Sequence, residues 1–216
     1  KMSDLKEFIP IYEPYLKGNE SKYLKECIDS GWISSKGKFI GLFENSFANY
    51  IESPYALSTA NGTVAIHLAL VTIGINKGDE IIVPDLTFAA SVNSILYTGA
   101  VPVLVDCDLD TLNIDVKKIE EKITSKTKAI MLVHLYGLPS FIDEIQKIAD
   151  KYNLIIIEDA AEAFGSEYKN KKVGTFGRVA CFSFFGNKTI TTGEGGMITF
   201  KNEKDYKKAK ILRDHG

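Results

Sequence analysis

The run Leu154-Ile155-Ile156-Ile157 has no polar residue to turn toward water and ends abruptly in Glu158-Asp159. A strand that is apolar on both faces has to be covered on both, which is the habit of parallel sheets sandwiched between helices. Further short runs rich in β-forming residues read as strands at Tyr55 to Ser58, Glu80 to Val83, Val101 to Val105, Ala129 to Val133, Ala180 to Phe184 and Met197 to Phe200. Amphipathic stretches fill the gaps between them. This alternation predicts an α/β fold with a mainly parallel sheet and helices on both faces.

The spacing predicts helices over Glu20 to Ser30, Thr63 to Ile73, Phe88 to Tyr97, Asp115 to Ile123 and Phe141 to Tyr152. Asn19 is available to cap the first and Gly31 to stop it, and Gly74 supplies a left-handed stop for the second. GWISSKG, from Gly31 to Gly37, reads as irregular. NEKDYKKAKILRDHG reads as helical to its end, which predicts that these residues belong to a longer polypeptide. No internal repeat or linker divides the chain, so one domain is expected.

Composition narrows the function. The 216 residues carry 26 Lys+Arg against 28 Asp+Glu, a balance of −2 that gives no electrostatic case for nucleic acid or an anionic membrane. With 45% hydrophobic and 25% charged residues the chain has the make-up of a globular domain. Cys27, Cys107 and Cys181 are dispersed, which fits a reducing compartment and no disulfide framework. The start, KMSDLKEFIP, places charges where a leader would be apolar, so a cytoplasmic protein is expected.

Three motifs fail on inspection. Asp106, Asp108 and Asp110 have the spacing of a calcium loop, but Thr111 and Lys117 stand where its glycine and bidentate glutamate belong. Gly186-Asn187-Lys188-Thr189 lacks the glycines of a nucleotide-binding P-loop. His67, His134 and His215 have no second ligand at metal spacing, so no metal is expected.

Four other points place polar, reactive residues at the C-terminal ends of expected strands, where open parallel sheets bind ligands. At Asn61-Gly62-Thr63 a strand turns into a helix whose N-terminal N–H groups suit a phosphate; the same turn also reads as a plain cap by Thr59 or Asn61. At Glu158-Asp159 neighbouring side chains face opposite sides, so one carboxylate points at a ligand, such as a protonated ring nitrogen, or pairs with a lysine. Beyond Ser183, Lys188 lies beside Phe184 and Phe185; partial desolvation there favours the neutral amine that Schiff-base chemistry needs, unless Lys188 is a solvated surface charge. Phe88 opens a helix just after a strand and either stacks on a planar ligand or packs in the core. Together the four points describe a site for pyridoxal 5'-phosphate (PLP), with the helix N-terminus and Ser183 at the phosphate, Asp159 at the ring nitrogen, Phe88 at the ring face and Lys188 at the aldehyde.

In order along the chain, GWISSKGKFI, FENSFANY, NGTVAIHLAL, GDEIIVPDLTFAASVNSI, GAVPVLVDCD, KTKAIMLVHLYG, IIIEDAAEAFGS and FSFFGNKTITTGEGGM resemble the DegT/DnrJ/EryC1/StrS family of PLP-dependent nucleotide-sugar aminotransferases. The resemblance implies the three-layer large domain of the type I aminotransferase fold. It also implies that Gly62 and Thr63 are the phosphate-binding residues of the helix start, with Ser183, that Lys188 bears the cofactor and shuttles its proton, that Phe88 covers the ring, and that Glu162 stands where the wider family carries glutamine or histidine against the ring hydroxyl. Trp32, Ser34 and Ser35 fall in a segment, about residues 1–45, similar to the family's substrate-side loop. WISSKGKFI, EDAAEAFGS and SFFGNKTITTGEGGM most resemble the perosamine-forming branch, which aminates a 4-keto-6-deoxy hexose on GDP.

From the family follow an amino-acid donor such as L-glutamate, a role in surface polysaccharide synthesis and a homodimer. A smaller C-terminal domain would follow residue 216. Relatives with histidine for the lysine are sugar dehydratases, a reading that Lys188 opposes. The alternatives are a relative that aminates carbon 3 or a UDP- or dTDP-linked sugar, and a non-catalytic PLP-binding fragment.

Overall fold

A computed structural model describes residues 9–215. The charged start of the chain (1–8), which carried the expectation of no leader, and Gly216, where the last helix was expected to end, lie outside the described residues. Among the described residues no helix is long and apolar enough to cross a membrane.

Seven strands form the main sheet: β1 (Tyr55–Thr59), β2 (Glu80–Pro84), β3 (Val101–Val105), β4 (Thr127–Val133), β5 (Ile155–Asp159), β8 (Val179–Ser183) and β9 (Gly196–Phe200). Their order is β1-β9-β8-β5-β4-β2-β3. The β3-β2-β4-β5-β8 block is parallel, and β9 runs antiparallel to both β8 and β1. The sheet is therefore mainly parallel, as the apolar runs predict.

Both faces are covered. On one, Phe47 and Ile51 of α2 (Lys38–Ile51) and Ile142 and Ile145 of α5 (Ile142–Tyr152) pack on Ile130, Leu132, Ile156 and Phe182. On the other, Ala65 and Leu70 of α3 (Gly62–Ile73), Ile95 of α4 (Ala89–Tyr97) and Ala209 of α6 (Glu203–Arg213) pack on Ile81, Met131, Ile157 and Ile198. Ile156 and Ile157 thus serve opposite cores, which is why their strand tolerates no polar residue before its end.

The structure departs from the sequence reading at four places. Residues 115–123 form two 3-10 turns, Val116–Lys118 and Glu120–Lys122, instead of one helix. The tighter winding brings Val116 and Ile119 onto one side, and Ile119 is fully buried. In α1 (Glu20–Ser30), Asn19 makes no capping bond; its backbone is not extended, and the Glu20 carboxylate turns back to accept from Gly18 N–H. Helix α2 was not foreseen. Its stripe Phe43, Phe47, Ile51 is regular, but it starts at Gly37 without a side-chain cap and ends on Glu52, not glycine, in the left-handed region. The ribbon β6 (Glu167–Tyr168) and β7 (Lys171–Lys172) turns through Lys169 and Asn170, both at positive φ, without the glycine that usually signals such a turn.

Candidate active site

The C-terminal ends of β1, β4, β5 and β8 surround a cavity of about 330 Å³. Gly62, Thr63, Phe88, Asp159, Glu162, Ser183 and Lys188 all line it. One corner is built by the start of α3. The Asn61 side chain accepts from Val64 N–H at 3.0 Å, leaving the N–H groups of Gly62 and Thr63, the first two of the helix, without an intrahelical acceptor. A Cβ on Gly62 would lie 2.9 Å from the Ser183 Cβ. Only glycine lets this helix end and Ser183 converge on one anion-sized corner. Gly196 plays the matching part behind it, since a Cβ there would stand 2.5 Å from the Asn61 carbonyl oxygen.

Glu158 and Asp159 part company as the strand pleat requires. The Asp159 carboxyl faces the cavity, and burial pushes its pKa up. Opposing that push are the Ser91 hydroxyl, donating to Oδ2 at 2.7 Å, and the Ala161 N–H, donating to Oδ1 at 3.1 Å, with a longer-range attraction to Lys188. No cation touches the carboxylate among the described residues. On the other face burial would also raise Glu158, but His134 Nε2 at 3.1 Å and the N–H groups of Gly174, Phe176 and Gly177 at 2.6–2.8 Å reverse the effect. Its carboxyl is held below the usual range.

Lys188 reaches the cavity from the loop after β8, and its Nζ donates to Glu162 Oε1 at 3.1 Å. Glu162 Oε2 accepts from Tyr136 N–H at 2.9 Å. The Lys188 ammonium lies 6.0 Å from the centre of the Phe88 ring, which is largely exposed at the head of α4 and therefore not a core residue. Phe185 lines the cavity with Lys188, whereas Phe184 does not: it is fully buried against Phe43 and Phe47 on the opposite face of the sheet.

Several lining or supporting residues escaped the sequence reading: Thr87, Asn187, Glu194 and Ser91. Ser91 lies one helical turn beyond Phe88 on the buried side of α4, a placing that helical spacing could have signalled, whereas its bond to Asp159 carried no local signal. Trp32 and Ser34 line a separate recess between α1 and α2, and Ser35 lines neither space.

The cavity thus offers two helix N–H donors beside a serine hydroxyl, a buried carboxylate touched only by neutral donors, and an amine between them. That set fits a phosphorylated aromatic heterocycle with a basic ring nitrogen and a carbonyl group, because among the described residues no anion meets the helix N–H groups and no cation touches Asp159, while the amine is held by Glu162 at the cavity wall.

Residues 14–216 match the DegT/DnrJ/EryC1/StrS aminotransferase family. A GDP-perosamine synthase of Escherichia coli O157:H7 is 55% identical over 210 residues, 97% of this chain and 58% of that relative, so the chain spans little more than half the relative's length. The crystal structure of an aminotransferase from Psychrobacter cryohalolentis superposes with a TM-score of 0.92 at 39% identity, covering 96% of this chain and 53% of the other. The E. coli GDP-4-keto-6-deoxy-D-mannose-3-dehydratase with bound hydrated PLP gives 0.91 at 34% identity, covering 96% and 55%. The chain belongs to the DegT/DnrJ/EryC1/StrS aminotransferase family.

Proposed function

We propose that these residues form the cofactor-binding large domain of a PLP-dependent aminotransferase, which moves an amino group from an amino acid, L-glutamate, to the keto carbon of a GDP-linked 4-keto-6-deoxy sugar for surface polysaccharide. The observation that carries this is the convergence of Lys188, Asp159, Ser183 and the start of α3 on one cavity. The likeness to GDP-perosamine synthases supports the sugar and the nucleotide. We extend the reading to a cytoplasmic homodimer completed by a smaller C-terminal domain.

When bound, PLP supplies an electron sink that allows a C–H bond beside the amine to break heterolytically. The chain's own residues do the rest. Gly62 and Thr63 N–H and the Ser183 hydroxyl hold the phosphate, assisted by the α3 dipole. Asp159, already buried and short of a cation, keeps the ring nitrogen protonated. Ser91 fixes the rotamer of that carboxylate, and Phe88 covers the ring. Lys188 carries the proton on Nζ between the donor Cα and the cofactor, and Glu162 orients that Nζ.

The test is the visible absorption spectrum of the protein with PLP, before and after L-glutamate. The expected result is a lysine-dependent band that glutamate bleaches and that Lys188→Ala abolishes. A band that survives Lys188→Ala, or no band with the longest available polypeptide, overturns the reading.

A further inference from the structure

Tyr136 adopts φ 51° and ψ 27°, a left-handed conformation that is costly for any residue with a side chain. The residue is 81% exposed, so side-chain packing does not explain the strain. Beyond the turn's own backbone bonds, Gly137 N–H to His134 C=O at 3.3 Å and Leu138 N–H to Leu135 C=O at 3.0 Å, the strained peptide aims the Tyr136 N–H at Glu162 Oε2, whose other oxygen holds Lys188 Nζ. Such a conformation persists only where its surroundings over-determine it.

The surroundings centre on Asn113, a residue of the excursion after β3 that is 1% exposed and does not line the cavity. Its Oδ1 accepts from Leu135 N–H at 3.2 Å and its Nδ2 donates to Leu138 C=O at 3.0 Å, so one amide grips the turn on both sides of Tyr136-Gly137. Gly137 is also left-handed at φ 85°, and its carbonyl accepts from Ser166 Oγ at 2.7 Å. Behind the turn, Ser140 N–H donates to His134 Nδ1 at 3.1 Å.

We propose that Asn113 is a positioning residue for Lys188: it clamps the left-handed Tyr136-Gly137 turn, the turn fixes Glu162, and Glu162 fixes the lysine amine. The primary amide supplies, on two separate atoms, the acceptor and the donor that the two sides of the turn demand. This deepens the proposed function, in which Lys188 is the reacting amine, but its test needs no cofactor.

The experiment is reductive methylation of the cofactor-free chain, with the rate at Lys188 read by peptide mass spectrometry against exposed Lys128 as internal reference. Glu162→Gln releases the amine and is expected to speed Lys188 labelling about fivefold, the scale of a partly buried ion pair. Asn113→Leu, which removes both grips at similar volume, is expected to speed it in the same direction by about threefold or more. The double variant should be no faster than Glu162→Gln alone, since both act through one contact. A wild-type Lys188 rate in Asn113→Leu, or a double variant showing the product of the two effects, overturns the proposal.

Asn113→Asp keeps the acceptor for Leu135 and loses the donor to Leu138. It should fall between wild type and Asn113→Leu, and it decides alone if Asn113→Leu does not fold: a wild-type rate in folded Asn113→Asp overturns the proposal. Failure of the spectral test above with this labelling pattern intact would remove the proposed function and leave the clamp standing; the reverse pair of results would do the opposite.

Discussion

Glu158 and Asp159 are consecutive, both buried, and shifted in opposite directions, and the difference lies wholly in their donors. Glu158 meets three backbone N–H groups and an imidazole, so the folded chain favours its carboxylate. It contributes stability above the ordinary glutamate range, and this is lost as pH falls through its lowered value. Glu158→Gln places an amide N–H against those donors. It should cost about 2–3 kcal/mol at pH 7, and less in acid as the wild-type carboxylate itself protonates, measured by denaturant unfolding across pH. Asp159 meets only a hydroxyl and one N–H, so the folded chain binds its proton more tightly than the unfolded chain does. Its effect on stability is most favourable in acid and is lost as pH rises through the raised value. Asp159→Asn should therefore stabilise the cofactor-free protein at pH 7 by about 1 kcal/mol, a melting shift of about 2–4 °C, with little change at pH 4. The same variant should lose the extra melting temperature that PLP confers on the wild type. A destabilised cofactor-free Asp159→Asn at pH 7 would contradict the account of this carboxylate.

The elements that position the cavity are those whose signals are local. The turn from β1 into α3 is written in Asn61-Gly62, and the strand ends of β5 and β8 in apolar runs broken by Asp159 and Ser183. Each of these could be read because cap, glycine and apolar run lie within a few residues of one another. The strands ended within one or two residues of expectation for the same reason. What could not be read is held by distant partners. Helix α2 begins without a side-chain cap and is fixed by Phe47 against Phe182 and Phe184 on the sheet face it covers, ring centres 4.9 and 5.6 Å away. Phe47→Ala should accordingly cost about 3–5 kcal/mol by denaturant unfolding, the range for a buried aromatic. The Asn113 clamp joins residues 22 and 25 positions apart. Asp159 was legible as a ligand carboxylate, but Ser91, 68 positions away, was not legible as its donor. Gly62 tests the element that was legible. Gly62→Ala puts a Cβ 2.9 Å from the Ser183 Cβ at the buried start of α3, so stability should fall by about 1–3 kcal/mol, the scale of overpacking, as α3 and β8 move apart. The new methyl intrudes on Ser183, and PLP affinity, read by equilibrium titration, should fall about tenfold. An unchanged affinity would mean that the phosphate does not sit in this corner.

Across the molecule, stability is distributed unevenly, and the cavity lies at its stable end. Strands β4, β5 and β8 sit in the middle of the sheet and are buried over almost their whole length, with α-helices on either side. Helix α1 is the opposite extreme: it buries no residue, and it leaves Leu24, Ile28 and, just beyond its end, Trp32 and Ile33 exposed. An 11-residue helix with no buried side chain lacks the tertiary packing on which most helical stability depends. Its amides should therefore open through local fraying, whereas those of β5 should exchange only when the whole sheet opens. Hydrogen exchange followed by mass spectrometry on the chain alone should show residues 20–30 deuterated orders of magnitude faster than residues 155–159. Loading with PLP should slow exchange around β5, β8 and the first turn of α3 while leaving α1 unchanged, because the cavity residues come from the former and none from the latter. Protection of α1 equal to that of β5 in the chain alone would show that α1 is anchored by contacts beyond those described, and would sink this ranking.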